Sequence, residues 1–269
     1  MPKMGLVSRR RSWVRFSVFV DSHAHIQLSE FDQDRQAVID RATSARVETI
    51  LVVGFDLETS QAAIRLAETS DQIYATVGIH PHEAKNCTSQ TLEDIYQMAQ
   101  HPKVVALGEM GLDYFRNLSP EPVQKEVFEQ QLDLAEQLNL PVVIHNREAF
   151  ADILPILQNR CARTRGVLHC FSGNVEAMQQ SIDAGFYIGI GGPVTYKKAD
   201  DLRLVAQRMP ADHFLIETDC PWLAPQFRRG KRNESAYVTM VTEQIAELRQ
   251  TTAVEIGQIS SQNFRRLFL

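Results

Sequence analysis

The chain alternates short apolar runs, rich in β-branched residues, with segments whose apolar residues have helical spacing. Near-continuous apolar runs are typical of strands buried on both faces, as in a parallel sheet. Eight such strands alternating with helices over about 250 residues predict an α/β fold, a single (β/α)8 TIM barrel. An open doubly wound sheet is the alternative, although no GxGxxG motif follows the first strand. The predicted strands are 14–20, 48–54, 73–79, 104–109, 141–145, 166–169, 186–191 and 213–219, and the predicted helices are 33–45, 58–69, 90–100, 122–138, 148–160, 175–184, 200–208 and two within 234–268.

Composition limits the functions that such a chain can have. Its 269 residues are 44% hydrophobic and 23% charged, which is ordinary for a globular domain. The formal net charge of −5 argues against a protein that coats long nucleic acid through bulk electrostatics. This net charge is compatible with a local site that binds the phosphate at one end of a nucleic-acid chain.

Nothing in the sequence predicts a membrane or secreted protein. No run approaches the roughly 18 apolar residues of a membrane-spanning helix. The four cysteines are scattered without paired spacing, as expected for free thiols in a reducing compartment. We therefore expect a cytoplasmic protein with no obligate protein partner, in which residues 1–19 are a basic extension leading into the first strand and residues 20–269 form the barrel.

Histidines and carboxylates collect where the predicted strands end. The chain has eight histidines, and six of them lie at these positions. Random placement rarely produces such a pattern, because strand-end positions are a small fraction of the sequence. Active sites of (β/α)8 barrels form at the C-terminal ends of the strands, so these side chains are expected to face one another. The set is His23, His25, His80, His82, Glu109, His145, His169, Glu217 and Asp219.

The size and chemistry of this set predict a metal centre. Imidazole and carboxylate groups together suit zinc, manganese, nickel or, with water ligands, magnesium. The set is too large for one tetrahedral structural ion and about right for two ions that share a bridging carboxylate. Two such ions, about 3.5–4 Å apart, stabilise the attacking and leaving oxygens of a displacement, which is hydrolytic chemistry.

Six motifs resemble those of the TatD family of metal-dependent nucleases. They occur in that family's order from about residue 20 to the end of the chain, so the combination is specific although HxH alone is a weak signal. The architecture is also similar to that of the wider amidohydrolase superfamily. One departure is Ser235, since the family often has proline after the glutamate of GKRNE. The motifs are DSHAHI, GIHPHEA, GEMGLDYF, PVVIHNRE, HCFSGN and IETDCPWLAP, followed by RRGKRNE.

The resemblance implies two metal ions bridged by Glu109. It also implies that His80 is an active-site residue and not a primary ligand. Magnesium is the ion expected for activity, with zinc, manganese or nickel as alternatives. The remaining ligands implied are His23, His25 and Asp219 for one ion, and His145 and His169 for the other.

The activity implied is that of a metal-dependent exonuclease. It would hydrolyse phosphodiester bonds of DNA, with single-stranded DNA or chain ends as the expected substrate. Besides bridging by Glu109, we expect Asp219 to orient the attacking water or accept its proton. We expect His80 to contact the scissile phosphate or help the leaving oxygen depart.

Basic and aromatic residues near the strand ends are candidates for substrate contacts. Arg229, Lys231 and Arg232 follow the eighth strand, and Arg147 follows His145 by two residues. We expect these four to bind phosphate, with a solvated basic loop as the alternative. Two further groups are candidates either for substrate contact or for packing. They are the aromatic residues Tyr114, Phe115, Phe171 and Trp222, and the glycines at 189, 191 and 192.

Two other functions stay open on the sequence alone. One is an amidohydrolase or esterase acting on a small cyclic amide or an aminoacyl ester. Many such barrels bridge their metals through a carboxylated lysine on the fourth strand, whereas this strand ends in Glu109. The other is a non-catalytic nucleic-acid-binding protein with a structural metal. A structural site is closed by four ligands, and the surplus of candidate ligands argues against it.

Overall fold

The computed structural model describes residues 19–269, in which eight parallel strands alternate with helices. Each strand pairs in parallel with the next one along the chain, so the order in the sheet equals the order in the sequence. The predicted (β/α)8 barrel is therefore confirmed over the doubly wound alternative. The strands are β1 (Phe19–Ala24), β2 (Val47–Val53), β3 (Ile73–Val77), β4 (Val104–Asp113), β5 (Val142–Arg147), β6 (Gly166–Leu168), β7 (Phe186–Ile190) and β8 (Phe214–Ile216).

Helices follow every strand. The first seven occur within two residues of their predicted ends, and two more follow β8. Within residues 19–269, no helix is long and apolar enough to cross a membrane. The cytoplasmic location stays a prediction. The helices are α1 (Arg35–Ser44), α2 (Leu57–Ala67), α3 (Ser89–Ala99), α4 (Glu121–Leu138), α5 (Phe150–Gln158), α6 (Val175–Asp183), α7 (Asp200–Arg208), α8 (Val238–Arg249) and α9 (Ala253–Phe268).

Three predicted strands end three or more residues away from their ends in the structure, and the other five end within two residues. Strand β1 runs to Ala24, so His23 lies inside it; residues 14–18 of the predicted strand, like most of the predicted basic extension, lie outside the described residues. Strand β4 continues four residues past Glu109. Strand β8 ends at Ile216, which leaves Asp219 in the segment that follows it. The apolar pattern in the sequence indicates the central part of each strand. It does not indicate where polar residues continue the hydrogen bonding between strands.

Two apolar clusters fix where the polar residues can lie. One cluster packs the sheet against the surrounding helices, and the other fills the barrel interior. Helix α9 ends against the interior cluster through Phe264, Leu267 and Phe268, which closes one end of the barrel. The opposite end, at the C-termini of the strands, is where the chain places its ionisable groups.

Alternation along the strands explains how these groups face inward. Val143, Val167 and Leu215 belong to the interior cluster. Successive strand residues point to opposite faces, so residues two positions further along share a face. The residues two positions after these three are His145, His169 and Glu217.

The barrel closes between β1 and the segment after β8. The Asp219 amide donates to the His23 carbonyl at 2.9 Å, and the His25 amide donates to the Cys220 carbonyl at 2.8 Å. A parallel bridge pairs Ala24 with Cys220. These bonds join the backbone that carries the two histidines of DSHAHI directly to the backbone that carries Asp219.

Asp21 reinforces this closure from within the barrel wall. It is completely buried, and its carboxyl accepts from the Thr218 amide at 2.9 Å and from the Thr218 hydroxyl at 2.7 Å. Ser235, the residue that departs from the family's proline, is also buried and hydrogen-bonds to this carboxyl. Burial raises the pKa of Asp21 to about 7, although these hydrogen bonds oppose the rise.

Asp21→Asn is expected to make the free energy of unfolding less dependent on pH. In the wild type, Asp21 lowers this free energy as the pH rises. The pKa of this carboxyl is about 4 in the unfolded chain, whereas burial raises it to about 7 in the folded protein. The folded state therefore holds a proton that the unfolded chain releases, and the contribution of Asp21 to stability falls between these two pH values. The free energy of unfolding, from urea titrations in EDTA between pH 4 and 8, should fall more steeply for the wild type. Asp71→Asn, at an exposed position, is the control. Parallel curves for wild type and Asp21→Asn would contradict this role.

Candidate metal centre

One oxygen of the Glu109 carboxylate faces His23 at the end of β1 and His25 directly after it. The Nε2 atoms of His23 and His25 lie 3.0 Å apart. They are 3.4 and 3.7 Å from Glu109 Oε2. They are 3.7 and 3.4 Å from Asp219 Oδ1. Four side chains from three elements thus aim nitrogen and oxygen atoms at one small volume.

The other oxygen of Glu109 faces histidines from β5, from the position directly after β6 and from the loop after β3. Glu109 Oε1 lies 2.8 Å from His169 Nε2 and 2.9 Å from His145 Nδ1. His80 Nε2 is further away, at 3.5 Å. Glu109 is therefore placed between two groups of imidazoles, one at each oxygen.

These residues fit a metal centre in both geometry and chemistry. Metal–nitrogen bonds of 2.0–2.1 Å in a tetrahedron place neighbouring ligand atoms about 3.3 Å apart, which is close to the separations observed. Neutral imidazole with carboxylate is a donor set for divalent cations. The particular ligand assignment stays a prediction. Three sets have donor atoms that all lie within 4.8 Å of one another: His23, His25 and Asp219; His23, Glu109 and His169; and His80, Glu109 and His145.

Electrostatics at the site keep Glu109 ionised and separate the imidazoles into rings that favour the neutral form and rings that favour the cation. Burial lowers the pKa of His23 to about 4 and that of His80 well below its ordinary value. Burial acts to raise the pKa of Glu109, but the charges of His169 and His80 hold it well below the usual range. The pKa of His169 rises to about 9 against the effect of burial, because Glu109 stabilises its cation. The buried carboxylate therefore attracts a cation, either a proton or a metal ion.

Hydrogen bonds on the far side of each ring decide which nitrogen offers a lone pair. His25 Nδ1 faces a backbone carbonyl of β2 at 2.8 Å, and His145 Nε2 faces Asp113 Oδ2 at 3.1 Å. Each of these nitrogens faces an oxygen that accepts and therefore carries a proton, so in the neutral rings His25 Nε2 and His145 Nδ1 have the lone pairs towards Glu109. In His80 the positions of the proton and the lone pair are reversed. Its Nδ1 accepts the His82 amide at 3.1 Å, so in the neutral ring the proton is on Nε2.

Asp113 is a site residue that the sequence reasoning missed. It ends β4, is buried, and accepts from both His145 and His82. Alternation along β4 is the signal that could have found it, because Glu109 and Asp113 are four residues apart and share a face.

Glu217, noted at the predicted strand ends without an assigned role, lies directly behind His169. It is completely buried, accepts the Cys170 amide through Oε1, and lies 3.8 Å from His169 Nδ1. Burial raises its pKa to about 8. A Cβ at Gly189 would lie 2.6 Å from Glu217 Oε2, whereas one at Gly191 would make only ordinary contacts. Packing against Glu217, rather than approach to a phosphate, therefore accounts for Gly189.

The four predicted phosphate-binding cations differ in their surroundings. Arg147 and Arg229 are exposed and stack on Phe115 and Tyr196, at 4.0 and 4.7 Å from the ring centres. Lys231 is exposed, and within residues 19–269 none of these three cations forms an ion pair. Arg232 differs, since it pairs with Asp34 at 2.7 Å and donates to the Glu30 carbonyl at 2.6 Å.

The candidate aromatic residues divide between the surface and the core. Phe115 and Trp222 are 52% and 45% exposed, so their rings are accessible at the mouth of the barrel. Phe171 is buried in the main apolar cluster. The Tyr114 hydroxyl donates to Asp152 at 2.7 Å. Phe171 and Tyr114 therefore have structural contacts, and Phe115 and Trp222 stay candidates for stacking on bases.

Comparison with known proteins identifies the family. The family model described as TatD related DNase matches residues 20–269, the ordered motifs and the metal centre included. The chain belongs to this family. The resemblance seen in the sequence is thereby confirmed, together with the prediction of a metal-dependent hydrolase of the nuclease class.

Individual relatives of this TatD-family chain span nearly its whole length. The uncharacterized metal-dependent hydrolase YabD of Bacillus subtilis is 47% identical over 249 residues, which cover 92% of this chain and 98% of the relative. The 3′-5′ ssDNA/RNA exonuclease TatD of Pectobacterium parmentieri is 37% identical over 255 residues, with the same coverage of 92% and 98%. The crystal structure of YjjV, a TatD homolog from Escherichia coli, superposes with a TM-score of 0.89 at 32% identity, covering 94% of this chain and 98% of that one.

Gly189→Ala is expected to destabilise the protein by about 1–3 kcal/mol, the usual cost of overpacking a core. The added methyl group meets the Glu217 carboxyl at 2.6 Å and the His169 Cα at 3.0 Å, and both residues are buried. Gly191→Ala is the matched control, because its nearest contact is 3.6 Å away. Urea denaturation of both variants measures the difference. Equal effects on the free energy of unfolding would show that Glu217 does not impose the glycine.

Proposed function

We propose that this TatD-family protein is an exonuclease that uses two divalent metal ions to release nucleotides from the end of single-stranded DNA or RNA. The observation that carries the proposal is the position of Glu109, with His23 and His25 at one oxygen and His145 and His169 at the other. DNA is the substrate that we predicted from the sequence. The name of the Pectobacterium relative supports a single-stranded substrate and degradation from the 3′ end.

The residues present would hold both ions without rearrangement of the barrel. His23, His25 and Asp219 would hold one, His145 and His169 the other, and Glu109 both. Divalent ions bound there would polarise the scissile phosphate and supply an acidified water for its attack. Magnesium is the proposed ion for activity, with zinc, manganese or nickel as alternatives.

His80 is suited to donate a hydrogen bond to the substrate. Its Nδ1 accepts the His82 amide, so its Nε2 carries the proton and points towards Glu109. Burial holds its pKa well below the ordinary value, so the ring is neutral at physiological pH. We therefore assign His80 as the group that contacts the scissile phosphate or the leaving oxygen through Nε2–H.

Asp219 is suited to orient water and to take up its proton. Burial acts to raise its pKa, but His25 and His23 hold it below its usual range, so the carboxyl is ionised. Its backbone is fixed to His23 by the closing hydrogen bonds of the barrel. An ionised carboxylate in a fixed position can accept a hydrogen bond from an attacking water and then its proton.

Arg147, Arg229 and Lys231 would bind the phosphates of the strand on either side of the metal centre. Arg147 ends β5, and Arg229 and Lys231 lie in the segment between β8 and α8, so the cations flank the centre. Their exposure lets them reach a bound chain, and charge-assisted bonds to phosphate are strong. We leave Arg232 out of this group because Asp34 and the Glu30 carbonyl already occupy its guanidinium.

Glu109→Ala is expected to lower the exonuclease rate at least about 100-fold, since changes even to residues around a ligand cost about 10–100-fold. The fold should survive, because the apolar clusters do not depend on this side chain. Protein stripped with EDTA is assayed on 5′- and 3′-labelled single-stranded DNA and RNA, with magnesium, manganese and zinc added back separately.

The matched control is Glu83→Ala, in the turn after β3. Its carboxylate accepts from the Asn86 side chain of the same turn at 3.0 Å. Near-normal turnover in Glu109→Ala would refute the bridging role. Absence of cleavage by wild type that binds two ions would favour an amide or ester substrate. A structural metal would instead appear as a sharp fall in melting temperature after EDTA, with no activity restored by any ion.

Arg147→Ala is expected to raise KM about 10-fold and leave kcat nearly unchanged, because a charge-assisted bond contributes about 1.5–3 kcal/mol. Arg232→Ala removes the same charge from a guanidinium that pairs within the protein. It should change KM less than about 2-fold and stability by less than about 1 kcal/mol, as is usual for a partly exposed pair. Initial rates against oligonucleotide concentration separate the two variants. A larger effect of Arg232→Ala on KM would reverse the assignment.

A further inference from the structure

The Asp113 carboxylate lies behind His145, on the side away from Glu109. It is 1% exposed, and its Oδ2 is 3.1 Å from His145 Nε2. The same oxygen is 2.9 Å from His82 Nε2, and the His82 side chain is 27% exposed. Asp113 thus connects a ring that faces the metal centre to a second ring that reaches the solvent.

The other oxygen of Asp113 fixes the roles of all the atoms in this group. Oδ1 accepts the backbone amide of Arg116 at 2.7 Å. A backbone N–H can only donate, so Oδ1 must be an acceptor. An ionised carboxylate has only acceptors, and both imidazoles must then donate from Nε2 to the shared oxygen.

In the neutral imidazole, which is the form that can bind a metal, a proton on His145 Nε2 leaves the lone pair on Nδ1. That atom lies 2.9 Å from Glu109 Oε1, on the side of the candidate metal ions. In the opposite tautomer a proton would occupy the very position where a metal must bind. The tautomer of His145, and hence its ability to bind a metal, therefore depends on what accepts from Nε2.

We propose that Asp113 is the positioning residue of the second metal site, holding His145 in the tautomer whose Nδ1 can bind the ion. The inference rests on the proposed function, because it takes His145 as a metal ligand. Asp113 does not itself touch the substrate or the ions. Its shared oxygen also holds His82, so the loop after β3 and the end of β5 are tied to one carboxylate.

Asp113→Asn tests this proposal because it keeps the shape of the side chain and reverses one hydrogen bond. The Arg116 amide requires an oxygen at the Oδ1 position, so the new NH2 group faces His145 and His82. Those rings must then accept at Nε2, which places the His145 proton on Nδ1. Asp113→Ala removes the carboxylate but leaves His145 free to adopt either tautomer, with water from the His82 side as a partner.

The expected order of affinity for the second metal is therefore wild type, then Asp113→Ala, then Asp113→Asn. We expect the asparagine variant to bind this ion about 10–100-fold more weakly than wild type. A merely structural role predicts the opposite order, because alanine loses more contacts than asparagine. Asp152→Asn is the matched control, since that carboxylate accepts from the Tyr114 hydroxyl and contacts no candidate ligand.

The measurement is metal stoichiometry and affinity by titration of the full-length, EDTA-stripped protein with zinc or manganese, with melting temperatures recorded alongside. Nuclease KM and kcat are measured on the same samples.

His145→Ala is included to test the proposed function independently. If it binds two ions as wild type does, His145 is not a ligand and the proposed function is wrong in this part. If it loses one ion while Asp113→Asn binds both normally, or binds better than Asp113→Ala, the inference about Asp113 is wrong and the metal site stands.

Discussion

The closing hydrogen bonds between β1 and the segment after β8 are the interaction on which the candidate site depends. They join the first and last strands of the barrel and, in the same four peptide groups, bring His23 and His25 to Asp219. Asp21 stabilises this closure through Thr218, at the cost of a buried carboxyl whose pKa is raised to about 7. Barrel closure and assembly of the metal centre are therefore one structural event.

The hydrogen bond behind each histidine assigns its chemical role. His25 and His80 both belong to a motif of the form HxH and both present Nε2 to Glu109, yet in the neutral rings that nitrogen is unprotonated in His25 and protonated in His80. A carbonyl behind His25 leaves a lone pair at the site, and a backbone amide behind His80 leaves an N–H there. The same group, an imidazole, thus presents a lone pair to the candidate site in one place and a hydrogen-bond donor in another.

At the mouth of the barrel, negative charge lies at the centre and positive charge lies at the rim. Glu109 and Asp219 are buried and ionised among imidazole rings, while Arg147, Arg229 and Lys231 are exposed around them. A net charge of −5 is compatible with this arrangement, because only the local field at the mouth of the barrel acts on a strand end.

The sequence by itself determined the barrel, its helices and the identity of the residues at the strand ends. Strand periodicity and buried apolar runs are local properties, so they can be recognised without coordinates, and the ordered motifs identified the family. The tertiary structure decided the features that the local sequence pattern does not encode. It extended β4 to Asp113, placed Arg232 against Asp34 instead of free at the rim, and filled the space beside Gly189 with Glu217. Each depends on contact between residues distant in the chain, and the tautomer of His145 does too, because its partner on β4 is 32 residues away.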